Sequence, residues 1–249
     1  MYLHVVDGGA SLRDASHLLG KDTYETADVI LGEWGKTDAQ ISVVSIGPAG
    51  EHLVRFASIF VDKGHAAGHN GTGAIMGSKR LKAIAVDRGK GQVQVADRKK
   101  LTEVANKIFE SVKGYTGTIG GVYGSYKSGR GSLPIKNYTT SIWNIPEDRL
   151  ETFSEKYIRD HFEPKPHPCW ACKLTHSTMM RISEGPYKGM VVEEPEYEQM
   201  AAWGPVIDNN DVASAIMLSG LTDRLGFENN EAGWLVAWTM ECYEKGLVK

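Results

Sequence analysis

Two cysteines and a histidine stand close together in the segment HPCWACKLTH, residues 167–176. Cys169 and Cys172 are separated by two residues, and His176 follows the second cysteine at a spacing of four. A turn between the cysteines directs both thiolates toward one metal ion or one edge of an iron–sulfur cluster, and the histidine joins from the next helical turn. Two buried, reduced cysteines beside a surface histidine are the alternative. A metal site would need a fourth ligand, for which the candidates are Cys242, His161 and His167.

A glycine-rich segment, AAGHNGTGAIMGSKRLKAIAV, occupies residues 66–86. Glycine allows the backbone to approach an anion closely and to adopt positive φ where needed. The spacing of these glycines differs from the dinucleotide-binding fingerprint, and the ending Gly-Ser-Lys differs from the Gly-Lys-Ser/Thr of a P-loop. The residues alone leave two interpretations open: contact with a phosphate-bearing ligand, or a tight turn between strands.

An acidic segment, EEPEYEQ, occupies residues 193–199 and contains four carboxylates. A carboxylate placed in a pocket there would have a raised pKa and could transfer protons. The same pattern is typical of a helix N-terminus, where acids interact favourably with the dipole and proline fits the first turn, and the residues alone favour this second interpretation. Further along, DRLGFE (residues 223–228) reads as a helix end with Gly226 as its C-cap.

The patterning around these segments predicts an α+β fold with a strand-rich N-terminal portion and a mainly helical domain that carries the cysteine motif. Strands are predicted at residues 2–6, 41–47, 53–61, 81–86 and 92–96. Helices are predicted at 22–34, 97–112, 147–162, 210–225 and 230–245, with a hairpin turning at 185–189. Residues 114–131 contain seven glycines and are predicted to form a structured loop or a hinge. The domain boundary falls near residue 96, giving domains 1–96 and 97–249.

The composition excludes several classes of protein. The chain has 249 residues, 41% of them apolar, 24% charged, and a net charge of -3, which is ordinary for a soluble domain and gives no electrostatic basis for binding nucleic acid or an anionic membrane. There is no run of about 18 apolar residues, and the first residues do not resemble a signal peptide. Three cysteines are too few for a disulfide framework, so we expect a reducing, cytoplasmic location. The abrupt ends predict a piece of a longer protein.

Together and in this order, these segments resemble the tungsten-containing aldehyde ferredoxin oxidoreductase family. The match is strong at GTGAIMGSKRLKAIAV, at EEPEYEQMAAWGP and at LTDRLGFENNEAGWLVAWTMECYEKG, and weak at residues 98–165. The resemblance implies a tungsten or molybdenum bis-pyranopterin, aldehyde oxidation to a carboxylic acid, and transfer of electrons through a [4Fe-4S] cluster to ferredoxin or an electron-transfer subunit. A homodimer is a further expectation. Residues 1–96 would be the C-terminal part of a β-rich pterin-binding domain, and 97–249 would carry the cluster and the second pterin motif.

The resemblance also implies roles for individual residues. The first pterin's phosphate would contact His69, Asn70, Gly71 and Gly73, where His69 and Asn70 replace the family's usual Arg-Gly pair, and a histidine is a weaker phosphate partner than a guanidinium. The second pterin would contact Asp223, Phe227 and Glu228. The residues expected to move the proton are Glu196 or Glu198.

For the cluster, the family motif is Cys-x-x-Cys-x-x-x-Cys with a distant fourth cysteine. Cys169 and Cys172 match it, His176 takes the place of the third cysteine, and the fourth would lie beyond Lys249. We expect a cluster with cysteine and histidine ligands, and loss of the cluster is the alternative. Two other functions stay open: a non-catalytic relative with a structural zinc on Cys169, Cys172 and His176, and a family member that reduces aromatic acyl thioesters. Histidine ligation raises a cluster's reduction potential and fits that low-potential reduction poorly.

Overall fold

The computed structural model describes residues 1–91, 93–114, 121–129, 133–169, 172, 177–183 and 185–249. Two regions of different character follow one another along these residues. The first is built on a six-stranded sheet, and the second consists of helices around a three-stranded sheet. The predicted α+β class, with strands first and a mainly helical region after them, is confirmed. The predicted domain boundary near residue 96 stays a prediction.

The six-stranded sheet has the order β2-β1-β6-β3-β4-β5, with β1 parallel to β6 and the other neighbours antiparallel. The strands are β1 (Tyr2–Val6), β2 (Gly9–Arg13), β3 (Ile41–Ser45), β4 (Ile59–Val61), β5 (His65–Ala67) and β6 (Ala83–Asp87). Alternate residues of β1, β3 and β6 are buried, because a strand points successive side chains to opposite faces and one face covers a core. That core includes Tyr2, Leu18, Ile30, Ile41, Val43 and Ala85.

Helix α1 (Thr23–Trp34) covers this sheet and begins where the sequence predicts. The Asp22 carboxylate accepts a hydrogen bond from the Glu25 N–H at 2.7 Å, and the Glu25 carboxylate accepts one from the Asp22 N–H at 3.0 Å. This reciprocal capping box satisfies N–H groups that the start of a helix leaves unpaired. The helix ends at Gly35, which adopts a left-handed conformation with φ of 58°.

The second region contains most of the helices. They are α4 (Arg98–Val112), α5 (Gly121–Ser128), α6 (Glu147–Glu151), α7 (Glu155–His161), α8 (Tyr197–Trp203), α9 (Val212–Leu225) and α10 (Asn229–Glu244). Strands β7 (Lys165–Pro166), β8 (Thr178–Arg181) and β9 (Val191–Glu193) form an antiparallel sheet among them, and pairing of Arg181 with Val191 confirms the predicted hairpin. Helices α9 and α10 confirm the two strongest helix predictions. Across the described ranges, no helix has both the length and the apolarity needed to cross a bilayer.

Two strand predictions are wrong in whole or in part. Of residues 53–61, only Ile59–Val61 joins the sheet, and Leu53 adopts a positive φ of 58° in a turn. The described residues 93–96 belong to no strand, although their sequence alternates. Both segments have the composition of strands, but a strand forms only where another edge is available for pairing, and composition does not show this.

Two predictions in the helical region need correction as well. The described part of 114–131 contains helix α5 where a structured loop or a hinge is predicted, because Val122 is fully buried in the second core and fixes this segment to it. The single helical stretch predicted at 147–162 is two helices, α6 and α7. Ser154 separates them, since its side chain accepts the Tyr157 N–H and caps the second helix.

Close packing of two short helices explains part of the glycine-rich segment. Helix α2 (Pro48–Glu51) lies against α3 (Thr72–Ser78), and a Cβ at Gly77 would overlap the carbonyl oxygen of Gly50. A Cβ at Gly73 would stand 2.5 Å from the carbonyl oxygen of Ser58. These glycines therefore allow backbone to lie against backbone, and they do so within helix α3, where the tight-turn interpretation predicts only a turn between strands.

We expect Gly77→Ala to lower the free energy of unfolding by about 1–3 kcal/mol, because the added methyl group displaces rigid backbone. The matched control is Gly32→Ala in α1, where a Cβ meets nothing within 4 Å. That variant should gain about 0.5–1 kcal/mol from helix propensity alone. Denaturant unfolding of both variants measures the difference. Equal stabilities would show that α2 and α3 are not in close contact.

Candidate active site

A cleft of about 630 Å³ lies between the two regions. Its walls come from four parts of the chain. These are the β4–β5 hairpin with the glycine turn (residues 68–71), Cys169, the acidic segment at the start of α8, and the turn between α9 and α10. The predicted site residues that line it are His69, Cys169, Glu196, Glu198, Phe227 and Glu228. Predicted residues outside the lining are Asn70, Gly71, Gly73, Cys172 and Asp223.

Backbone hydrogen bonds join the turn after α9 to residues 56–58, which immediately precede β4. The N–H of Ser58 donates to the Gly226 carbonyl at 2.9 Å, the N–H of Glu228 donates to the Phe56 carbonyl at 3.0 Å, and Ala57 forms a β-bridge with Phe227. Gly226 has a φ of 84°, as a C-cap requires. These contacts place residues almost 170 positions apart in sequence on one wall of the cleft.

The glycine turn presents His69 to the cleft while its backbone is held by the protein. His69 has a positive φ of 65°, and its Nδ1 lies 3.9 Å from Glu228 Oε1. The N–H groups of Asn70 and Gly73 donate to the carbonyls of Gly68 and Ala57. A Cβ at Gly71, whose φ is 63°, would overlap the Arg55 carbonyl oxygen. Gly71 and Gly73 are thus packed against the protein, and the His69 side chain faces solvent and the cleft.

Glu196 and Glu198 of the acidic segment stand at the start of α8 and differ in their contacts. Glu196 caps α8: its side chain accepts the N–H of Gln199, and its own N–H donates to Gln199 Oε1 at 2.7 Å. Glu198 follows in the first turn, is exposed, and lines the cleft. The helix-start interpretation is therefore correct, and the same segment also lines the cleft, while a proton-transferring role for its glutamates stays a prediction.

Glu194 is the buried member of this segment and anchors it. Its carboxylate accepts from Arg159 at 2.9 Å and from the Thr178 hydroxyl at 2.5 Å. Burial raises the pKa of Glu194 above its usual range, and the hydrogen bond from Thr178 and the positive charge of Arg159 act in the opposite direction. Because both oxygens are engaged by the protein, Glu194 holds the segment against β8 and is poorly placed to exchange protons with a ligand.

Asp223 lies behind the cleft wall and is 1% exposed. Asn229 Nδ2 donates to its carboxyl group at 2.6 Å, and the Thr23 hydroxyl donates to its backbone carbonyl at 3.0 Å. Burial raises the pKa of Asp223 well above its usual range, and the nearby Glu193 carboxylate adds to the effect. This environment disfavours the charged form of the Asp223 carboxyl group.

The cysteine segment contributes Cys169 to the cleft. A turn in which the Cys172 N–H donates to the Cys169 carbonyl at 3.0 Å brings the two residues together, and Cys169 Sγ lies 3.9 Å from His65 Nδ1. Burial raises the pKa of the Cys169 thiol, and Cys172 adds to it. The predicted ligand His176 lies outside the described residues, so the three-ligand arrangement stays a prediction. Cys242 is buried on α10 and is absent from the cleft lining.

His65 and Glu193 line the cleft and form contacts that the sequence did not indicate. His65 Nδ1 lies 2.9 Å from Glu193 Oε1, and Ser177 donates to the same carboxylate oxygen at 2.6 Å. This hydrogen bond with Glu193 raises the pKa of His65. His167, a candidate fourth ligand in the sequence, stacks on His65 with ring centroids 4.9 Å apart. No local sequence signal predicts this group, because its members meet only through tertiary packing.

Comparison with known proteins defines the class. The family model described as "Aldehyde ferredoxin oxidoreductase, N-terminal domain" matches residues 1–88, and the model described as "Aldehyde ferredoxin oxidoreductase, domains 2 & 3" matches residues 99–249. The second match alone covers more than half of the chain. The two matches show an oxidoreductase family, and this chain belongs to the aldehyde ferredoxin oxidoreductase family.

Individual relatives agree with this assignment. Tungsten-containing aldehyde ferredoxin oxidoreductases from Pyrococcus furiosus and Thermococcus kodakarensis are each 36% identical over essentially the whole chain, which spans 40% of their own length. A protein of Pyrococcus furiosus described as "Aliphatic sulfonate oxidoreductase, WOR-like subunit" is 28% identical over the whole chain. A solved structure entitled "Active site complex BamBC of Benzoyl Coenzyme A reductase in complex with 1,5 Dienoyl-CoA" shares the fold. It has a TM-score of 0.82 and 22% identity, and the match covers all of this chain and 39% of that one.

We expect Asp223→Asn to change the pH dependence of stability. A carboxyl group whose pKa is raised on folding stabilises the protein fully below its ordinary pKa of 3.8, and this contribution is lost as the pH rises through the folded-state value. The amide does not ionise and still accepts from Asn229. The variant should therefore gain stability relative to wild type as the pH rises from about 4 to about 8, by about 1.4 kcal/mol for each unit of pKa difference. Urea unfolding across this range measures it, and parallel curves would refute it.

Proposed function

We propose that this chain forms part of a tungsten (or molybdenum) pterin enzyme that oxidises aldehydes to carboxylic acids. The observation that carries the proposal is the convergence of the glycine turn, the Phe227–Glu228 turn, the acidic segment and Cys169 on one cleft. The chain spans about two fifths of the length of its curated relatives, so the complete reaction is proposed for the whole protein. In that reaction an aldehyde and water yield a carboxylic acid, two electrons and two protons.

The donor set of the cleft fits the heterocycle of a pterin. The volume of about 630 Å³ is in the range of small-molecule sites. A pterin ring has amine and N–H donors, and the lining offers carboxylate and amide acceptors, among them Glu228 and Asn229. Within the described chain, the buried Ser58 hydroxyl on this wall makes no hydrogen bond, as expected of a group reserved for a ligand. For the phosphate end, this chain supplies the exposed His69 together with Asn70, Gly71 and Gly73.

The chain's own residues would divide the work as follows. When bound, the pterin dithiolenes would hold the metal that accepts two electrons. Asp223 would act on the second pterin through Asn229, whose Nδ2 it holds at the end of the cleft by accepting a hydrogen bond, and Phe227 would exclude water from the wall. Glu198 is better placed than Glu196 to move the substrate's proton at its carboxylate, because Glu196 is engaged in capping α8.

Cys169 and Cys172, with His176, would bind the [4Fe-4S] cluster that passes electrons singly to ferredoxin or a partner subunit. The support is the turn that joins the two cysteines and the position of Cys169 on the cleft wall. Burial raises the pKa of the Cys169 thiol, and metals bind the thiolate. Binding of the cluster would therefore have to displace the proton of this thiol. Thiolate ligands also require reducing conditions, which fits a cytoplasmic location.

The test of the cofactors uses the full-length protein, purified anaerobically from its own host. We expect tungsten or molybdenum, a pterin, and iron with acid-labile sulfide and a broad brown absorbance. Cys172→Ser should remove most of the iron and sulfide and leave the pterin. Stoichiometric zinc without sulfide would favour the non-catalytic relative, and absence of both pterin and metal would defeat the proposal. Activity with an aromatic acyl thioester in place of aldehydes would reassign the substrate.

The role of Glu198 is tested by Glu198→Gln in the same protein. Losing a group that transfers a proton in the transition state costs about 10²–10⁴ in rate, so we expect kcat to fall by that factor with tungsten content unchanged. Glu103→Gln, on the exposed α4 helix, is the matched control and should keep full activity. If Glu196→Gln lowers kcat and Glu198→Gln does not, the assignment between the two is reversed.

A further inference from the structure

Two histidines and a glutamate, residue types that can bind metal ions, meet at the edge of the cleft beside Cys169. One ring nitrogen of His65, one of His167 and a carboxylate oxygen of Glu193 all lie within 4.8 Å of one another. His65 Nδ1 and Glu193 Oε1 are the closest, at 2.9 Å. All three side chains are partly buried. They come from β5, β9 and the segment before Cys169, so three separate parts of the chain contribute one donor each.

The turn before His65 is held rigidly. The Asp62 carboxylate accepts from the Ser42 hydroxyl at 2.7 Å and from the Val43 N–H at 2.8 Å, which fixes the turn against β3. Gly64 follows with a φ of 132°, and a Cβ there would stand 2.7 Å from the Glu193 Cβ. Glycine at this position therefore allows Glu193 to approach His65, and the pair is positioned before any ligand binds.

The remaining contacts prepare the donors for a metal. His167 Nε2 lies 2.9 Å from the backbone carbonyl of Asp62, and donation from this nitrogen leaves the lone pair of Nδ1 available. Metal-binding histidines usually donate their second ring nitrogen to a carbonyl or carboxylate in this manner. Ser177 positions both neighbours. Its hydroxyl donates to the Glu193 carboxylate at 2.6 Å, and its backbone carbonyl accepts the backbone N–H of His167 at 2.9 Å.

We propose that His65, His167 and Glu193 bind one divalent transition-metal ion of the zinc or ferrous class, with the remaining coordination position open to the cleft. Two imidazoles and one carboxylate are a donor set of catalytic zinc and non-haem iron sites. Donor atoms about 2.1 Å from a tetrahedral ion lie about 3.4 Å from one another. The three donor atoms here lie within 4.8 Å of one another, so side-chain rotations that move each of them by about an ångström would complete the site. Neither Cys172 nor His176 is a ligand, and the site exists whether or not a cluster or a pterin binds.

The experiment titrates Co²⁺ alone into the chelator-treated, reduced full-length protein, with affinity read by competition with a chromogenic chelator. We expect one equivalent to bind, without a cobalt–thiolate charge-transfer band. His65→Ala and Glu193→Gln should each weaken binding by more than about 100-fold, beyond the 10- to 100-fold typical of outer-shell partners. Glu193→Gln keeps an acceptor for Ser177, so the fold is retained. Zn²⁺ should displace the cobalt.

Controls separate this site from the cysteine motif. His17→Ala removes another His–Glu contact, of 2.5 Å, which has no second histidine, and it should leave cobalt affinity within about twofold. Cys172→Ser should also leave it unchanged while abolishing the proposed iron–sulfur cluster. The inference is overturned if no stoichiometric cobalt binds. It is also overturned if binding survives in His65→Ala and Glu193→Gln, or if it shows a thiolate band that Cys172→Ser removes.

Discussion

The site depends on the backbone docking of the turn after α9 against residues 56–58. Three contacts make this docking: the Ala57–Phe227 bridge, the Ser58–Gly226 hydrogen bond and the Glu228–Phe56 hydrogen bond. Their effect extends beyond the turn, because α9 and α10 continue from it on either side and carry the second core with them. Without this docking the glycine turn and the acidic segment would have no common cleft. Backbone hydrogen bonds in a partly buried site are costly to leave unmade, which gives this junction its rigidity.

Charge is the second constraint on the cleft. Five carboxylates line it, from Glu193, Glu194, Glu196, Glu198 and Glu228, and Asp223 lies just behind. Four of the five have a local partner: Arg159 pairs with Glu194, His65 pairs with Glu193, and Glu196 and Glu228 cap α8 and α10. Asp223 has no cation among these partners, and its burial raises the pKa of its carboxyl group. A cleft lined by carboxylates favours cations and hydrogen-bond donors. The proposed pterin ring offers such donors and the proposed metal ion is a cation, so both fit the charge of the cleft.

In the glycine-rich segment and the acidic segment, the residues that stabilise the fold also position side chains at the cleft. Gly73 and Gly77 pack against backbone within helix α3, and the proline-containing acidic segment starts α8, as its helix-start interpretation predicts. Each structural feature also places a neighbour at the cleft: the glycine turn directs His69 there, and the start of α8 directs Glu198 there. Motifs of this kind therefore do not require a choice between packing and chemistry.

The sequence by itself determined the local features: the capping box of α1, the Gly226 C-cap, the β8–β9 hairpin and the two last helices, because caps, turns and periodicity depend on neighbours a few residues apart. It also determined the family, since the glycine, acidic and Asp223 motifs occur in a recognisable order. Tertiary structure alone decided which strands found partners, as the failure of residues 53–58 and 93–96 to form strands shows. It also decided that His65, His167 and Glu193 meet. His65 is 102 positions from His167 and 128 from Glu193, and the formation of such contacts depends on how whole elements pack, which no local pattern encodes.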